Sequence, residues 1–405
     1  MTGWRSLARL SICFALSSFV KQSPSPVPAA GQQTSPVPPP PITLIPRSHE
    51  ERERQYQVEH RIVLNVFVSD ASGKPASGLS QEDFTLLDNG QPRALTSFRT
   101  MKGTQGVVPA RVLFMLDEVN NSPRDIASDR KGIEQFLKRS PARLAYQTSI
   151  ALLSGSGAAM GPASQDRDVL VGELRALAQR AHMFDCPDAG SDASRDSPPT
   201  TSGARDLSGL VIAPEAGRAE SCLNLRFKLS VSALDRLSRE QEDVSGRVIL
   251  IWIGRGWPLL TAHEFLRDTA AIKQNLFDNL VEITNTLRAA QVTLDTVFSP
   301  DLFRTIELRT DHDNTFFNGI PNENEVAASS LGLQVLAHQS GGLILTESKD
   351  LDGEIAKCVA DADSYYMLSF DSPPAARPGE FHSIQVKVSG AGLTARTNTA
   401  YYAQP

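Results

Sequence analysis

Four short apolar runs constrain this chain more than any other feature. They lie at 111–116 (Arg-Val-Leu-Phe-Met-Leu), 148–153 (Thr-Ser-Ile-Ala-Leu-Leu), 248–253 (Val-Ile-Leu-Ile-Trp-Ile) and 292–298 (Val-Thr-Leu-Asp-Thr-Val-Phe). Runs of this length and composition suit strands covered on both faces, as in a parallel sheet. Weaker runs follow at 342–345 and 364–370. Between them the apolar period changes. Leu170, Leu174, Leu177 and Ala181 are spaced i, i+4, i+7, i+11, and Leu276, Leu280, Ile283 and Leu287 begin the same way, each marking an amphipathic helix. Strands separated by helices require crossover connections, so the expected core is an α/β, doubly wound, mostly parallel sheet with helices on both faces.

The ends of the chain read differently. From 57 to 69 the residues alternate, with Val58, His60, Ile62, Leu64, Val66 and Val68 on one parity, which predicts a half-buried strand. Asp88-Asn89-Gly90-Gln91 is a hairpin signal, and the flanking segments 85–87 and 94–98 are its expected arms. Residues 381–388 alternate again, Gly390-Ala391-Gly392 turns the chain, and 393–402 reads as a last strand. A β unit at 57–102 and another at 378–403 are expected to pair into a β-sandwich-like module, with the α/β domain of 108–371 inserted between them.

The first 30 residues read as an export signal: Arg5 and Arg9 are followed by the mainly apolar stretch 10–20, too short to span a bilayer. Cys13 follows bulky Ile12 and makes a poor lipid-attachment box. Residues 31–56 read as a linker rich in Pro and Gln. No later segment is apolar enough to cross a membrane, so a secreted or periplasmic location is expected. The net charge of −6, with acidic and basic residues interspersed, gives no nucleic-acid footprint. Cys186 and Cys222 flank a polar insert at 183–220. In an oxidising compartment a disulfide would close that loop; the alternative is two unrelated thiols. Cys358, with Ile355 and Val359 in a helical pattern, is expected in the core.

The first apolar run ends in Asp117, followed by Glu118-Val119-Asn120-Asn121-Ser122-Pro123. An acid at the C-terminal end of a parallel strand stands where α/β sheets bind ligands. A structural acid in a loop or helix cap is the other reading. Competing signals are weaker. The Gly spacing in 154–161 fits no nucleotide loop and reads as a flexible loop. Asp311-His312-Asp313 reads as a solvated loop, and no nucleophile–base set is visible, so no enzyme is expected.

The order of these pieces resembles a von Willebrand factor A domain, in the form found in secreted bacterial proteins, over roughly residues 58–403. The resemblance rests on the segments 70–84 and 88–91 of the leading β unit and on 160–168 running into a helix. It rests also on Leu336-Ala-His-Gln-Ser-Gly-Gly342, on Ser364-Tyr-Tyr-Met-Leu-Ser-Phe370 and on the terminal Ala400-Tyr-Tyr402. It implies a protein-binding or adhesion module with a metal-ion-dependent site of the form Asp-x-Ser-x-Ser, completed by a Thr from a second loop and an Asp after a middle strand. Asp117 matches the first Asp. Val119 stands at the first Ser and has no ligand atom; Asn121 stands at the second, with Asn120 one place off pattern. Where the Thr belongs, the chain offers Ser221 or Asn224, and Arg255 stands about where the last Asp belongs. The expected site is therefore degenerate. No cofactor is expected, with Mg²⁺ held by Asp117, Asn121 and Ser221 as the alternative. Arg255 is expected to pair with Asp117. The partner-binding rim is expected to comprise Asp117, Asn120, Asn121, Arg255 and Trp257, Trp257 being either a partner anchor or a core residue.

Overall fold

A computed structural model of the 405-residue chain describes residues 60–102, 110–180, 184, 218–242, 246–254, 256–257, 270–297, 319–326, 328–345 and 350–405. The signal and linker expectations, Cys186, Arg255 and the Asp311-His312-Asp313 cluster lie outside these residues.

The strand order follows from the chain. The leading β unit holds β1 (Arg61–Ser69), β2 (Phe84–Asp88), β3 (Gln91–Arg93) and β4 (Ser97–Lys102). The core follows with β5 (Arg111–Asp117), α1 (Pro123–Arg139), β6 (Arg143–Ser154), β7 (Gly157–Met160), β8 (Ser164–Asp166), α2 (Arg167–Arg180) and α3 (Arg218–Glu242). Then come β9 (Val248–Ile253), α4 (Ala270–Ala289), β10 (Val292–Val297), α5 (Leu333–Gln339), β11 (Ile344–Leu345) and α6 (Leu351–Ala360). The chain ends with β12 (Ser364–Asp371), β13 (Glu380–Val388), β14 (Thr394–Arg396) and β15 (Ala400–Ala403).

The fold is mixed α/β. The central sheet runs β11-β10-β9-β5-β6-β7, parallel except for β7, with β8 paired to β6. Numbered by their order along the chain, its strands stand 3-2-1-4-5-6, so the order reverses between β5 and β9. The parity of each strand sorts its side chains. Leu113 and Met115 of β5, with Leu250 and Trp252 of β9, face α3, α4 and α5. Val112, Phe114 and Leu116, with Ile249 and Ile251, face α1, α2 and α6. Both helical periods land on the core: Leu170 and Leu174 of α2 and Leu276, Leu280, Ile283 and Leu287 of α4 are all buried. Caps fix two of the helix starts. Ser122 and Asp125 form a reciprocal capping box before Pro123, and Asp166 accepts from the amides of Asp168 (2.8 Å) and Val169 (3.3 Å).

The remaining strands form two four-stranded antiparallel sheets, β14-β1-β12-β4 and β15-β13-β2-β3, around one core that includes Leu64, Leu86, Tyr366, Leu368, Ile384 and Tyr401. β1 pairs with β12 and β14, and β2 with β13, so strands from both ends of the chain meet in each sheet.

Three segments differ from their sequence reading. The Asn89-Gly90 turn has both residues at positive φ (49° and 74°), as a tight hairpin requires, but its return arm is the three-residue β3. Residues 97–102 leave for the other sheet and pair with β12, because Phe98 packs against Phe84 (5.5 Å) and Tyr366 (5.8 Å) in the sandwich core. The loop expected at 154–161 is a hairpin that adds the antiparallel edge strand β7. β1 is buried on both parities along its second half, since Asn65 and Phe67 are covered as well as Leu64, Val66 and Val68.

Phe67 marks the joint with the core. Arg247, fully buried just before β9, sets its guanidinium 3.9 Å from the Phe67 ring centre and 4.9 Å from that of Tyr365. It donates to Asp361 O (2.7 Å) and Thr293 Oγ1 (3.2 Å). Burial pushes its pKa down to about 10, with the charge of Asp361 opposing. Arg247→Ala removes this group and strands its partners, so we expect urea unfolding to report a loss of about 3–5 kcal/mol. Arg247→Lys should restore only part of it, because an ammonium lacks the planar fork.

Candidate functional site

The crevice of a sheet with this strand order lies above the C-terminal ends of β5 and β9. β5 ends in Asp117, and β9 ends at Ile253 before Gly254. Asp117 is 1% exposed. Its Oδ1 accepts from the Asn120 backbone amide (2.9 Å). Its Oδ2 accepts from Asn120 Nδ2 (2.8 Å) and from the indole Nε1 of Trp252 (3.0 Å). Burial raises the pKa of Asp117, and the bonds from Asn120, Trp252 and the Val119 amide oppose that rise.

The network continues into α3. Asn120 Nδ2 also donates to Ser230 Oγ (2.8 Å), and Ser230 Oγ in turn donates to Arg226 O (2.8 Å). Arg226 Nη1 donates to Val119 O, and its guanidinium lies 5.2 Å from the Phe184 ring. Burial lowers the pKa of Arg226, and the Asp117 charge raises it, so Arg226 is a cation that senses the Asp117 carboxylate. Asn121 is buried and donates from Nδ2 to Asp129 Oδ2 (3.2 Å). That amide closes on Gly254, whose φ is 134°; a Cβ there would stand 2.1 Å from Asn121 Nδ2, so the position requires glycine.

Trp257 is 1% exposed, donates from Nε1 to Leu331 O (2.6 Å) and meets Trp252 edge to face at 5.1 Å. Of its two readings the structure takes the core one, since its ring and its N–H are both satisfied inside the chain. Asp117, Asn120 and Asn121 are thus brought together at the switch point. Ser221 and Asn224 lie in the first turns of α3, their side chains outside the described set. Cys222 is disulfide-bonded to a partner outside the described residues, and its Sγ accepts from Arg226 Nε at 3.5 Å. Cys358 is free and buried, and burial raises its pKa well above the usual thiol value.

Mg²⁺ needs about six oxygens in near-octahedral array. Both Asp117 oxygens already accept N–H donors, Val119 offers no ligand, and the Asn121 amide nitrogen is directed at Asp129. Among the described residues no three His, Cys, Asp or Glu side chains stand close enough to share an ion. These residues do not fit the cation. Trp252, Ser230 and Arg226 are the network members that sequence reading missed. Trp252 had a signal, because a buried indole N–H needs an acceptor. Ser230, 110 residues from Asn120, had none.

No protein-family signature matches the sequence, and no curated protein matches it. Among solved structures, the chain is similar to the human COPII-coat protein Sec24c at 10% identity and a TM-score of 0.32, covering 73% of this chain and 44% of that one. Proximal thread matrix protein 1 from the mussel byssus follows at 10% identity and 0.28, covering 63% and 48%. The type V pili tip protein Mfa5 from Porphyromonas gingivalis stands at 9% and 0.27, covering 84% and 68%. The chain thus spans less than half of the first two, and likenesses at these scores carry no argument. Among the described residues no helix is long and apolar enough to cross a membrane.

Because Asp117 accepts hydrogen bonds from Asn120 and Trp252, Trp252→Phe should lower stability by about 1–3 kcal/mol and Asp117→Ala by more, as several donors lose their acceptor together. Thermal melts should be the same in Mg²⁺ and in EDTA. A melting temperature that rises with Mg²⁺ and loses that rise in Asp117→Ala would restore the cation.

Proposed function

We propose that this chain is a secreted, non-enzymatic protein-binding module of von Willebrand factor A type, with a degenerate cation site, that recognises its partner at the C-terminal rim of the central sheet. One observation carries the reading: the acid at the switch point is a closed hydrogen-bond hub, not a free ligand or a reactive group. The 3-2-1-4-5-6 strand order and the succession of sequence segments that resembles the A domain support it. Among the described residues, the exposed rim positions include Pro123 and Arg124 at the start of α1 and Gly155 and Ser156 at the β6–β7 turn. A rim of this kind binds by shape and hydrogen bonding, without a bridging ion.

The test is photo-crosslinking from positions 124 and 156 in the full-length protein, followed by identification of the captured partner. Capture that persists in EDTA and is lost in Arg124→Glu supports the reading. Capture that requires Mg²⁺ favours a metal-dependent adhesin, and crosslinks confined to other faces remove the rim. The proposal includes a Cys186–Cys222 disulfide closing the insert. Peptide mapping of unreduced protein should recover the two cysteines in one linked species; Cys222 linked elsewhere overturns that pairing.

A further inference from the structure

A second buried acid lies outside the hydrogen-bond network of Asp117. Asp295, in the middle of β10, is 0% exposed. Its Oδ1 accepts from the Leu343 amide (2.7 Å), and its Oδ2 has no hydrogen-bond partner among the described residues. The charged and titratable groups that act on it come from α6, β14 and the segment before β9. Cys358 faces it from α6 as a thiol within hydrogen-bonding reach. Asp361, at the end of α6, acts on it as a like charge; Arg396 of β14 and Arg247 before β9 act as opposite charges.

The two cations are committed elsewhere. Arg396 bonds Asp361 and Gly341 O, and its guanidinium lies 4.7 Å from the Phe67 ring. Arg247 bonds Asp361 O and Thr293 and faces Phe67 and Tyr365, the latter from β12. Asp361 therefore holds both arginines, through its carboxylate and its carbonyl. Asp295 has one backbone donor and the Cys358 thiol within reach, and its Oδ2 has no partner of good geometry among the described residues. A proton on that oxygen removes the like-charge conflict with Asp361. Without it, a second carboxylate competes for Arg396, the residue that ties β14 to the end of α6.

We infer that Asp295 is a proton-operated latch at the joint between the central sheet and the β sandwich, closed when its carboxyl is protonated and loosened when it is ionised. Burial, followed by the charge of Asp361, raises its pKa from 3.8 to about 7, which puts the transition in the neutral range. The sign follows from linkage. The folded protein holds this proton more tightly than the unfolded chain does. Stability from this group is therefore greatest below the unfolded value and declines as pH rises towards about 7. Above that it is flat. For a site shifted this far, the unfolding equilibrium constant should rise roughly tenfold between pH 6 and pH 8 from this group alone.

The experiment compares the full-length protein with Asp295→Asn, which mimics the protonated carboxyl without titrating. Urea unfolding across pH 5 to 8 should lose that tenfold component in the variant. Hydrogen exchange in the wild type, corrected for its intrinsic pH dependence, should show β14 and the 340–343 turn opening more as pH rises, and Asp295→Asn should abolish the increase. Should Asp295→Asn fail to fold, carboxyl-carbon NMR of the wild type reads the latch directly, since Asp295 should titrate near neutrality. An Asp295 resonance titrating in the ordinary carboxylate range, or pH dependence unchanged in the variant, overturns the inference.

Discussion

The two halves of this molecule meet around one guanidinium. Arg247 enters β9 from the end of the sheet opposite the rim, and its planar fork has room only because Phe67 of β1 and Tyr365 of β12 supply ring surfaces while Asp361 and Thr293 accept its protons. Burying such a charge is costly unless it is well partnered. Here the compensation comes from two units at once, the rings from the sandwich and the acceptors from the core. That is why β1 is covered on both parities, and why its Phe67 and Asn65 lie inside although a free edge strand would present them to water. Arg396 approaches the same ring at 4.7 Å, so one phenyl group serves two cations. A slip of β1 by one residue would move Phe67 to the other face of its strand and leave both arginines without it.

The core was legible because its pattern is redundant. Each strand run at 111–116, 148–153, 248–253 and 292–298 corresponds to a strand of the central sheet, and each helical period falls on a buried face. Long segments with both faces or one stripe buried repeat the same information several times. The short β elements do not. The turn at Asn89-Gly90 was readable from two residues, whereas the destination of 97–102 depends on where Phe98 finds aromatic partners in another sheet. β7 was missed for a related reason. Three small residues and a methionine after a turn carry little pattern, and their pairing is decided by the free edge of β6. In β1 the alternation was correct in phase but understated the burial, because the second covering layer comes from residues hundreds of positions away.

The candidate site was legible in place but not in chemistry. An apolar run ending in Asp117 located the switch point. The neighbours in sequence, Val119 and Asn121, argued against a cation. The rest of the network is contributed from far along the chain, by Trp252 135 residues away and, through Asn120, by Ser230 on α3. The arginine expected as counter-charge, Arg255, lies outside the described residues. Among the described residues, Arg226 donates to the Val119 carbonyl, and the Asp117 charge raises its pKa. Nothing in the spacing of these residues announces their meeting, since it is made by the packing of α3 over the end of β5.

This network has a consequence for binding. Immobilising a rotamer-rich side chain on association costs about 0.5–1.5 kcal/mol. At this rim Asn120, Arg226 and Trp252 are ordered before any partner arrives, each by a bond to another element. In the proposed binding mode, a partner meeting the 122–124 and 154–157 edges finds a rim base that does not have to reorganise. A cation site reaches comparable order only by binding its ion, which makes recognition depend on the ion's concentration. A hydrogen-bonded hub has no such dependence. It also offers no open coordination position to a partner's carboxylate, so the proposed recognition is spread over the polar edge. In the proposed reading, independence from an ion and reliance on a rigid surface are one property of the site, and both follow from the acceptor capacity of a single carboxylate being filled from within.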